Sequence, residues 1–430
     1  MTPISRLMGL HTYYLALGHA IPSLSSFGTT FLISRSSRNI VTRNRPRIPL
    51  TQQGYFTAPT SATTAKMPGN SGKKEKVAVI GSGNWGSAIA RIAGINTKRY
   101  PDQYEEEVVM WVREEQVDGR PLTEIINEKH ENVKYLTGIN IGSNIRAEPD
   151  MAKAMEGATA LIIVIPHQFL KPTLEQMKGK VAPGARICTL IKGVHVEGSE
   201  IKTFPSMIAG ALKIPCSALS GANIANEVAQ DKFSESTLGI PPDEAGKGKH
   251  LDDWPEAKLW KPLFQTPTFR IEVVDDVDGV SICGALKNIV AMAAGFVDGL
   301  GWGDNSKAAI MRIGIVEIHD FCLEFFPQTK SSTFLQESCG IADVMTSCMG
   351  GRNRKVAEAM VQKKKGFREL EQELLNGQKL QGAETAADVH NFLVAHGVGE
   401  AERNKKYPLF ENVWKICFQG MAPEKIIENI

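Results

Sequence analysis

A glycine-rich turn beginning at residue 81 constrains the fold of this chain more than any other feature of its sequence. The run from Lys76 to Ile80 is short, apolar and rich in β-branched residues, which is typical of a buried strand. The sequence GSGNWG at 81–86 follows directly and matches the pattern GxGxxG, and residues from Asn84 to Ile95 have helical spacing. A glycine turn between a buried strand and a helix predicts a dinucleotide-binding loop. The alternative interpretation is an ordinary strand–helix turn.

Each glycine of the loop has an expected role. Gly81 is expected to make the tight turn, Gly83 to let the backbone approach a pyrophosphate, and Gly86 to allow close packing of helix and strand. The diphosphate is expected at the helix N-terminus. The residues of the loop predicted to bind the cofactor are Gly81, Ser82, Gly83, Asn84, Trp85 and Gly86.

The end of the second predicted strand leaves the choice between NAD and NADP open. Val108 to Val112 has the apolar character of a buried strand, and Arg113 and Glu114 follow it. An acid at this place accepts the ribose 2′-hydroxyl of NAD, whereas an arginine accommodates the 2′-phosphate of NADP. Both side chains are equally compatible with an exposed surface.

The rest of the chain predicts an α/β region followed by a helical region. Two further buried strands are predicted at Ala160 to Ile165 and Ile187 to Ile191, and strands that alternate with helical segments predict a parallel sheet. After about Asp275 the pattern is helical, with periodic segments at 280–297, 306–325, 354–363 and 367–375.

The predicted fold class is therefore α/β, with an N-terminal Rossmann-like dinucleotide-binding domain and a mostly α-helical C-terminal domain. The predicted division is a basic extension at 1–72, a Rossmann domain at 73–274 and a helical substrate and catalytic domain at 275–430. The stretch 241–261, which is rich in Pro, Gly and charged residues, is predicted to be a surface insertion.

The first 72 residues differ in composition from everything that follows. They contain no Asp or Glu, are rich in Ser and Thr, and carry six arginines and Lys66. This composition predicts a mitochondrial presequence, with a disordered basic extension as the alternative. Met67 is a possible second start that would give a shorter cytosolic form. His19 and Pro22 interrupt the most apolar stretch, Tyr13 to Ile33, so no stable membrane insertion is predicted.

Charge and cysteine content exclude several classes of function. A net charge of +2 over 430 residues gives no electrostatic basis for binding nucleic acid. The seven cysteines are scattered and form no CxxC pair, which favours a reducing compartment and argues against a disulfide framework or a metal site.

Three polar positions are candidates for chemistry. Lys192 follows a predicted strand at the sheet edge where ligands bind in parallel α/β folds, although a solvated lysine is the alternative. Asn223 lies in a turn of small residues that would expose its amide to a ligand. Lys287 and Asn288 interrupt an otherwise apolar helix, where an ammonium group must reach solvent, pair or take part in chemistry.

A dense basic turn, GGRNRK at 350–355, precedes another predicted helix. Guanidinium groups match the geometry of phosphate oxygens, so the turn is a candidate phosphate site. A charged surface patch at a helix start is the alternative.

Seven segments together resemble the eukaryotic NAD-dependent glycerol-3-phosphate dehydrogenases and occur in that family's order between about residues 76 and 415. These segments are GSGNWGSAIA (81–90), IPHQF (165–169), LIKG (190–193), SGANIANEVA (220–229), CGALKNIVAMAAGF (283–296), GGRNRK (350–355) and LLNGQKLQGAETA (374–386). The resemblance implies an sn-glycerol-3-phosphate:NAD⁺ 2-oxidoreductase that binds NAD and acts on dihydroxyacetone phosphate and sn-glycerol 3-phosphate. It also implies a homodimer.

The resemblance implies a role for particular residues. Lys287 is expected to be the general acid that protonates the ketone oxygen and the base in the reverse direction, with Lys192 and Asp343 completing the catalytic group. The residues implied to bind the substrate are Lys192, Asn223, Asn288, Thr346, Ser347, Arg352 and Asn353. Those implied to bind the cofactor, beyond the glycine loop, are Phe169, Lys192, Ala225, Arg352, Lys379 and Gln381.

One position departs from the family. The residue after the second strand is often aromatic there and lies near the adenine, whereas this chain has Arg113. Without the aromatic ring, the packing of adenine is expected to differ from that in the family, and the preference for NAD over NADP is left open at this position.

Two other classes of protein compete with this interpretation. A 6-phosphogluconate or 3-hydroxyacyl-CoA type of dehydrogenase is disfavoured by the joint presence of LIKG, GALKN and GGRNRK. A non-catalytic NADH sensor with the same fold would be expected to lose Lys287 or Asp343, and both are present.

Overall fold

The structure is a computed structural model that describes residues 73–243, 246–375 and 379–430. The described residues belong to one compact unit. The N-terminal extension at 1–72, on which the targeting prediction rests, lies outside the described residues.

Twelve strands are described, and eight of them form one sheet. The strands are β1 (Glu75–Ile80), β2 (Tyr104–Trp111), β3 (Gln116–Val117), β4 (Arg120–Pro121), β5 (Ile145–Glu148), β6 (Ala160–Ile163), β7 (Arg186–Thr189), β8 (Val194–Glu197), β9 (Glu200–Thr203), β10 (Cys216–Ser220), β11 (Ser234–Gly239) and β12 (Phe269–Val274). Strands β3 and β4 form one small hairpin, and β8 and β9 form another.

The large sheet has the order β12-β11-β10-β7-β6-β1-β2-β5, and its only antiparallel pair is β10 with β11. Six neighbouring strands of this sheet, β5-β2-β1-β6-β7-β10, have the order of a Rossmann fold, with β1 between β2 and β6. Ligands bind at the carboxyl ends of the strands where the order reverses, which is the end of β1. The predicted fold class is confirmed.

The alternation of β1 explains how both faces of the sheet are covered. Val77 and Val79 pack into the hydrophobic cluster on one face, together with residues of the first helix, whereas Ala78 and Ile80 pack into the cluster on the other face. Successive side chains of a strand point to opposite faces, so a strand buried on both sides reads as a continuous apolar run.

Sixteen α-helices are described among these residues. They are α1 (Asn84–Arg99), α2 (Leu122–Lys129), α3 (Met151–Met155), α4 (Leu170–Met177), α5 (Phe204–Leu212), α6 (Ala225–Ala229), α7 (Pro255–Phe264), α8 (Val277–Leu300), α9 (Asp304–Phe325), α10 (Ser331–Leu335), α11 (Asp343–Gly350), α12 (Arg352–Lys363), α13 (Phe367–Leu375), α14 (Gln381–Ala395), α15 (Glu400–Lys406) and α16 (Pro408–Phe418). A π-helical turn, Ser338–Ala342, leads directly into α11.

Helix α8 is the centre of the helical region. In the part of the chain that the structure describes, it is the one helix long and apolar enough to cross a membrane, but 89% of its apolar window is buried inside the protein. Its side chains form the core on which α9, α12 and α14 pack. The last strand of the sheet ends at Val274 and α8 begins at Val277, while the division into separate domains at 274/275 stays a prediction.

The predicted surface insertion at 241–261 is wrong for its second half. Helix α7 begins at Pro255, and its Trp260, Leu263 and Phe264 are fully buried in the cluster beside α1. Burying each of these side chains contributes about 1.5–3 kcal/mol to folding. The charged and glycine-rich composition before Pro255 obscured an amphipathic helix.

Candidate active site

The glycine loop has the backbone geometry that a dinucleotide-binding turn requires. Gly81 has φ +123°, and a Cβ there would collide with the carbonyl oxygen of Val164. A Cβ at Gly86 would collide with the carbonyl oxygen of Gly81, so α1 starts against the end of β1. A Cβ at Gly83 would meet nothing within 4 Å, and no side chain caps α1 at this residue. The loop therefore leaves an open approach to the α1 N-terminus.

Asn132, a residue that the sequence analysis did not identify, holds this loop through hydrogen bonds. Asn132 is fully buried, and its amide nitrogen donates to the Ser82 carbonyl oxygen and to Ser87 Oγ, both at 2.8 Å. Asn84 donates to the Tyr135 carbonyl oxygen at 2.7 Å and to Asn226 Oδ1 at 2.8 Å. No local pattern marks Asn132, because its role depends on a contact with a loop about 50 residues earlier.

The carboxyl end of β2 carries the two candidates for the ribose. The Glu114 carboxylate accepts from Thr123 Oγ1 at 2.5 Å and from the Glu115 backbone N–H at 3.1 Å, so its orientation is fixed. The Arg113 guanidinium lies 5.9 Å from the centre of the Phe169 ring. Both of these side chains are exposed at the edge where a dinucleotide would lie.

Three predicted catalytic residues come together although they are far apart in the sequence. Asp343 is 2% exposed and Lys287 is 8% exposed. Lys287 Nζ donates to Asp343 Oδ1 at 2.5 Å, and Lys192 Nζ donates to Asp343 Oδ2 at 2.8 Å and to the Gly221 carbonyl oxygen at 2.9 Å. One buried carboxylate thus bridges two ammonium groups, which we call the Lys–Asp–Lys cluster.

The Lys–Asp–Lys cluster shifts the proton affinity of Lys287. Burial lowers the pKa of Lys287 to about 8, since the apolar surroundings disfavour its charge, and the positive charge of Lys192 acts in the same direction. The Asp343 carboxylate opposes the shift and keeps it from going further. Both protonation states of this amine are consequently accessible near neutral pH.

Two amides expected to contact substrate have partners within the protein. Ser236 Oγ donates to Asn223 Oδ1 at 2.6 Å, and Asn223 Nδ2 donates to the Glu235 carbonyl oxygen at 2.9 Å. Asn288 Oδ1 accepts from Asn353 Nδ2 at 2.9 Å. Each amide nitrogen carries two hydrogens, so these contacts orient the side chains without using all their donors.

Helix α11 presents its predicted residues on the side of the Lys–Asp–Lys cluster. Asp343 is its first residue, and Thr346 and Ser347 follow three and four positions later, which places all three on one helical face. Both hydroxyl residues are half-buried. The π-helical turn before Asp343 is a feature often found at functional sites.

The basic turn at 350–355 separates into residues with different environments. Arg352 is exposed and is the first residue of α12, whose N-cap is Gly351 with no side-chain cap. Arg354 instead pairs with Asp298, with Nε 2.5 Å from Oδ2. The amide of Asn353 bonds to Asn288, and its oxygen also accepts from the Gly382 backbone N–H at 2.9 Å.

The remaining predicted cofactor residues lie on the elements around the glycine loop and on α14. Ala225 opens α6 and precedes Asn226, which accepts from Asn84 of the loop. Gln381 is exposed at the start of α14, and Lys379 is exposed just before it, with Nζ 3.9 Å from Glu371.

All seven cysteines are free, and six of them are buried. Burial raises the pKa of the Cys188 and Cys283 thiols well above the ordinary value, which keeps them protonated and unreactive.

Comparisons with known proteins give the family. Two family models match, the NAD-dependent glycerol-3-phosphate dehydrogenase N-terminus over residues 76–245 and the C-terminus of the same family over residues 276–428. A glycerol-3-phosphate dehydrogenase [NAD(+)] from Eremothecium gossypii is 49% identical over 82% of this chain and 81% of its own length. The cytoplasmic enzyme of that name from Mus musculus is 49% identical over 82% of this chain and 96% of its own length.

A solved structure agrees. The glycerol-3-phosphate dehydrogenase of Saccharomyces cerevisiae superimposes with a TM-score of 0.77 at 44% identity, over 83% of this chain and 99% of that one. With the glycine loop, the Lys–Asp–Lys cluster and the uncapped α12 N-terminus in one fold, these matches confirm the resemblance found in the sequence. The chain belongs to the NAD-dependent glycerol-3-phosphate dehydrogenase family.

Proposed function

We propose that this chain interconverts dihydroxyacetone phosphate and sn-glycerol 3-phosphate, with Lys287 as the residue that moves the proton. The observation that carries the proposal is the buried Lys287 ammonium on Asp343, one residue before Asn288 and on the helix that α12 packs against. The glycine loop fits the dinucleotide, because the tight turn at Gly81 and Gly86 brings α1 against the end of β1, and a Cβ at Gly83 would meet nothing within 4 Å. When bound, NADH supplies the hydride to carbon 2 of the ketone.

Lys287 donates the proton to the ketone oxygen in reduction and accepts it from the alcohol in oxidation. A general acid–base group works best when its pKa is close to the operating pH, and the pKa of Lys287 is lowered to about 8. Asp343 keeps the amine oriented toward the site. Lys192, on the other oxygen of Asp343, contributes positive charge where negative charge develops on the substrate oxygen.

The N-terminus of α12 is the proposed site of the substrate phosphate. The first backbone N–H groups of a helix have no partner within the helix, and together with the helix dipole they attract phosphate. Arg352 is the first residue of α12 and adds a guanidinium fork to the same place. Asn353 contributes its backbone N–H, since its side chain holds Asn288 and Gly382.

The other site assignments rest on position and on the family. The residues proposed to bind the substrate are Lys192, Asn223, Asn288, Thr346, Ser347, Arg352 and Asn353. Those proposed to bind the cofactor are Gly81, Ser82, Gly83, Asn84, Trp85, Gly86, Phe169, Lys192, Ala225, Arg352, Lys379 and Gln381.

The test of this function is a direct assay. The purified full chain is mixed with NADH and dihydroxyacetone phosphate while the absorbance of the reduced cofactor is followed, and sn-glycerol 3-phosphate is identified in the product. Loss of absorbance that depends on the substrate supports the proposal. No consumption of NADH, from a protein that binds NADH, would leave the sensor interpretation in place.

We expect NADH to be used more efficiently than NADPH. The Glu114 carboxylate is fixed at the end of β2, where it repels a 2′-phosphate and accepts a ribose hydroxyl. An unfavourable charge contact of about 1.4 kcal/mol corresponds to a tenfold difference in kcat/KM. Kinetics with both cofactors measure the ratio.

The matched variant for this expectation is Glu114→Gln, which keeps the size of the side chain and removes its charge. It is expected to narrow the ratio of NADH to NADPH efficiency. A wild type that prefers NADPH would overturn the assignment and give Arg113 the 2′-phosphate.

We propose a cytosolic form of the protein, which the cytoplasmic name of the mouse relative supports. The mitochondrial address is supported only by the acid-free composition of residues 1–72 and stays a prediction. A fluorescent reporter fused to residues 1–72 is expected to co-localise with mitochondria. A diffuse signal would instead favour the alternative interpretation, a disordered basic extension without a targeting function.

We also propose a homodimer without stable membrane insertion. The family resemblance implies the dimer, and an exposed apolar stripe formed by Ile341, Met345 and Met349, spaced four residues apart, offers a surface for a protein contact. The burial of α8 supports the second point.

A further inference from the structure

Helices α8 and α12 approach each other unusually closely at two glycines of α8. A Cβ on Gly295 would collide with the carbonyl oxygen of Arg354 and lie 2.7 Å from the Cβ of Ala357. A Cβ on Gly299 would lie 2.6 Å from the Cβ of Val361. Interiors this closely packed leave little room for one helix to shift against the other.

A compact ion cluster fixes α12 along the α8 axis. Asp298 Oδ2 lies 2.5 Å from Arg354 Nε and 2.7 Å from Lys307 Nζ, and Arg354 Nη1 lies 3.2 Å from Glu358. The side chains of Asp298, Lys307 and Arg354 are only 17–19% exposed. Charge-assisted hydrogen bonds of this kind are shorter and more directional than neutral ones, and partial burial reduces their screening by solvent.

The first turn of α12 is therefore attached to α8 at two places. Arg354 bonds to Asp298 near the C-terminal end of α8, and Asn353 bonds to Asn288, which is next to Lys287. Asn288 and Asp298 are ten residues apart, about 15 Å along a helix. Arg352, the first residue of α12, directly precedes these two attached residues in the same turn.

We propose that Arg354 is a positioning residue that fixes the separation between the phosphate site and the proton donor. Through Asp298 it holds the N-terminus of α12, with Arg352, at one place relative to Lys287 on α8. The enzyme thereby selects ketones whose phosphate ester is on the carbon next to the reacting carbon. This inference rests on the proposed function, because it takes Arg352 as the phosphate site and Lys287 as the proton donor.

The test is the variant Arg354→Met, which keeps most of the apolar stem and removes the guanidinium. Misplacing a bound group by about 1 Å costs up to 10²-fold in rate, so kcat/KM for dihydroxyacetone phosphate is expected to fall by about 10- to 100-fold. Reduction of unphosphorylated dihydroxyacetone, which makes no use of the phosphate site, is expected to change by less than about threefold. The ratio of the two efficiencies is the readout that a general loss of structure would not move.

Three controls distinguish the outcomes. Lys355→Met removes the same charge from the neighbouring residue, whose side chain is exposed, and is expected to keep the ratio near that of the wild type. Arg354→Lys is expected to recover part of the loss, since an ammonium can still reach Asp298. Asp298→Asn, which removes the partner charge in place, is expected to repeat the loss of Arg354→Met.

The inference is overturned if Arg354→Met loses both substrates equally, if it loses neither, or if Lys355→Met does the same damage. Thermal unfolding of each variant shows whether an equal loss comes from a destabilised fold. Failure of the proposed function would appear differently, as a wild type that does not reduce dihydroxyacetone phosphate at all.

Discussion

Replacing Lys287 with methionine is expected to lower turnover of dihydroxyacetone phosphate by about 10²- to 10⁴-fold, the range typical of general acid–base residues. Methionine keeps a flexible apolar side chain in the buried position on α8 but has no proton to give. Binding of NADH is expected to survive, because the glycine loop lies on the sheet and not on α8. Fluorescence titration with NADH and steady-state kinetics measure the two effects separately.

The pH dependence of the wild type provides a second measure of the same group. Reduction of the ketone needs protonated Lys287, so its rate is expected to fall as pH rises through about 8, the lowered pKa of this amine. Oxidation of the alcohol needs the neutral amine, so its rate is expected to rise through the same region. The residual activity of Lys287→Met is expected to show neither of these changes of rate with pH.

Near-normal turnover in Lys287→Met would show that the ammonium group is only a buried partner of Asp343. A variant that no longer binds NADH would show damage beyond the proton donor.

The lowering of the Lys287 pKa also depends on the positive charge of Lys192. Lys192→Met removes that charge, so the change of rate with pH is expected to occur at a higher pH than in the wild type.

The parts of the fold that were predictable depend on local signals. The strand and the helix on either side of the glycine loop were predictable because a buried strand, a tight turn and a helix start occur within twenty residues and each has its own pattern. Helix α8 was predictable because apolar residues recur at helical spacing over 280–297, and the observed helix extends this segment by three residues at each end, to Val277–Leu300. The predicted helices after residue 300 likewise agree closely with α9, α12 and α13.

Strand β11, the second strand from the edge of the sheet, was missed for a physical reason. Strand β11 has the sequence SESTLG and pairs with strands on both sides, so its polar residues are buried by neighbours that no local pattern reveals. Ser236 and Thr237 in this strand are fully buried, and Ser236 holds Asn223. Propensity is a weak guide where tertiary packing decides the environment of a side chain.

The Lys–Asp–Lys cluster shows how much of the site could be predicted from the sequence. An ammonium on the apolar helix at Lys287 had to reach solvent, pair or take part in chemistry, and the structure pairs it with Asp343, 56 residues later in the chain. The family resemblance named these residues, but the spacing alone gave no distance between them. Likewise, composition could not separate Arg352, which is exposed, from Arg354, which is held by Asp298.

Replacing Arg352 with alanine is expected to impair dihydroxyacetone phosphate far more than unphosphorylated dihydroxyacetone. The phosphate takes no part in bond making at carbon 2, so holding it acts through binding energy and positioning, and its loss affects turnover as well as affinity. A charge-assisted hydrogen bond contributes about 1.5–3 kcal/mol, or about 10- to 150-fold each. The α12 N-terminus remains in the variant, so part of the affinity for the phosphate is expected to remain.

The ratio of efficiencies on the two substrates is the decisive measurement, since it cancels any general damage to the site. Arg352→Lys is expected to recover only part of the loss, because an ammonium is a point charge without the planar fork that can hold two oxygens. The resemblance also places Arg352 near the cofactor, so NADH affinity is measured in the same variants. If Arg352→Ala impairs both substrates equally, or if the loss follows NADH affinity, the residue serves the nucleotide or the fold. The phosphate would then have to be held by the backbone of the Gly350–Asn353 turn and the start of α12.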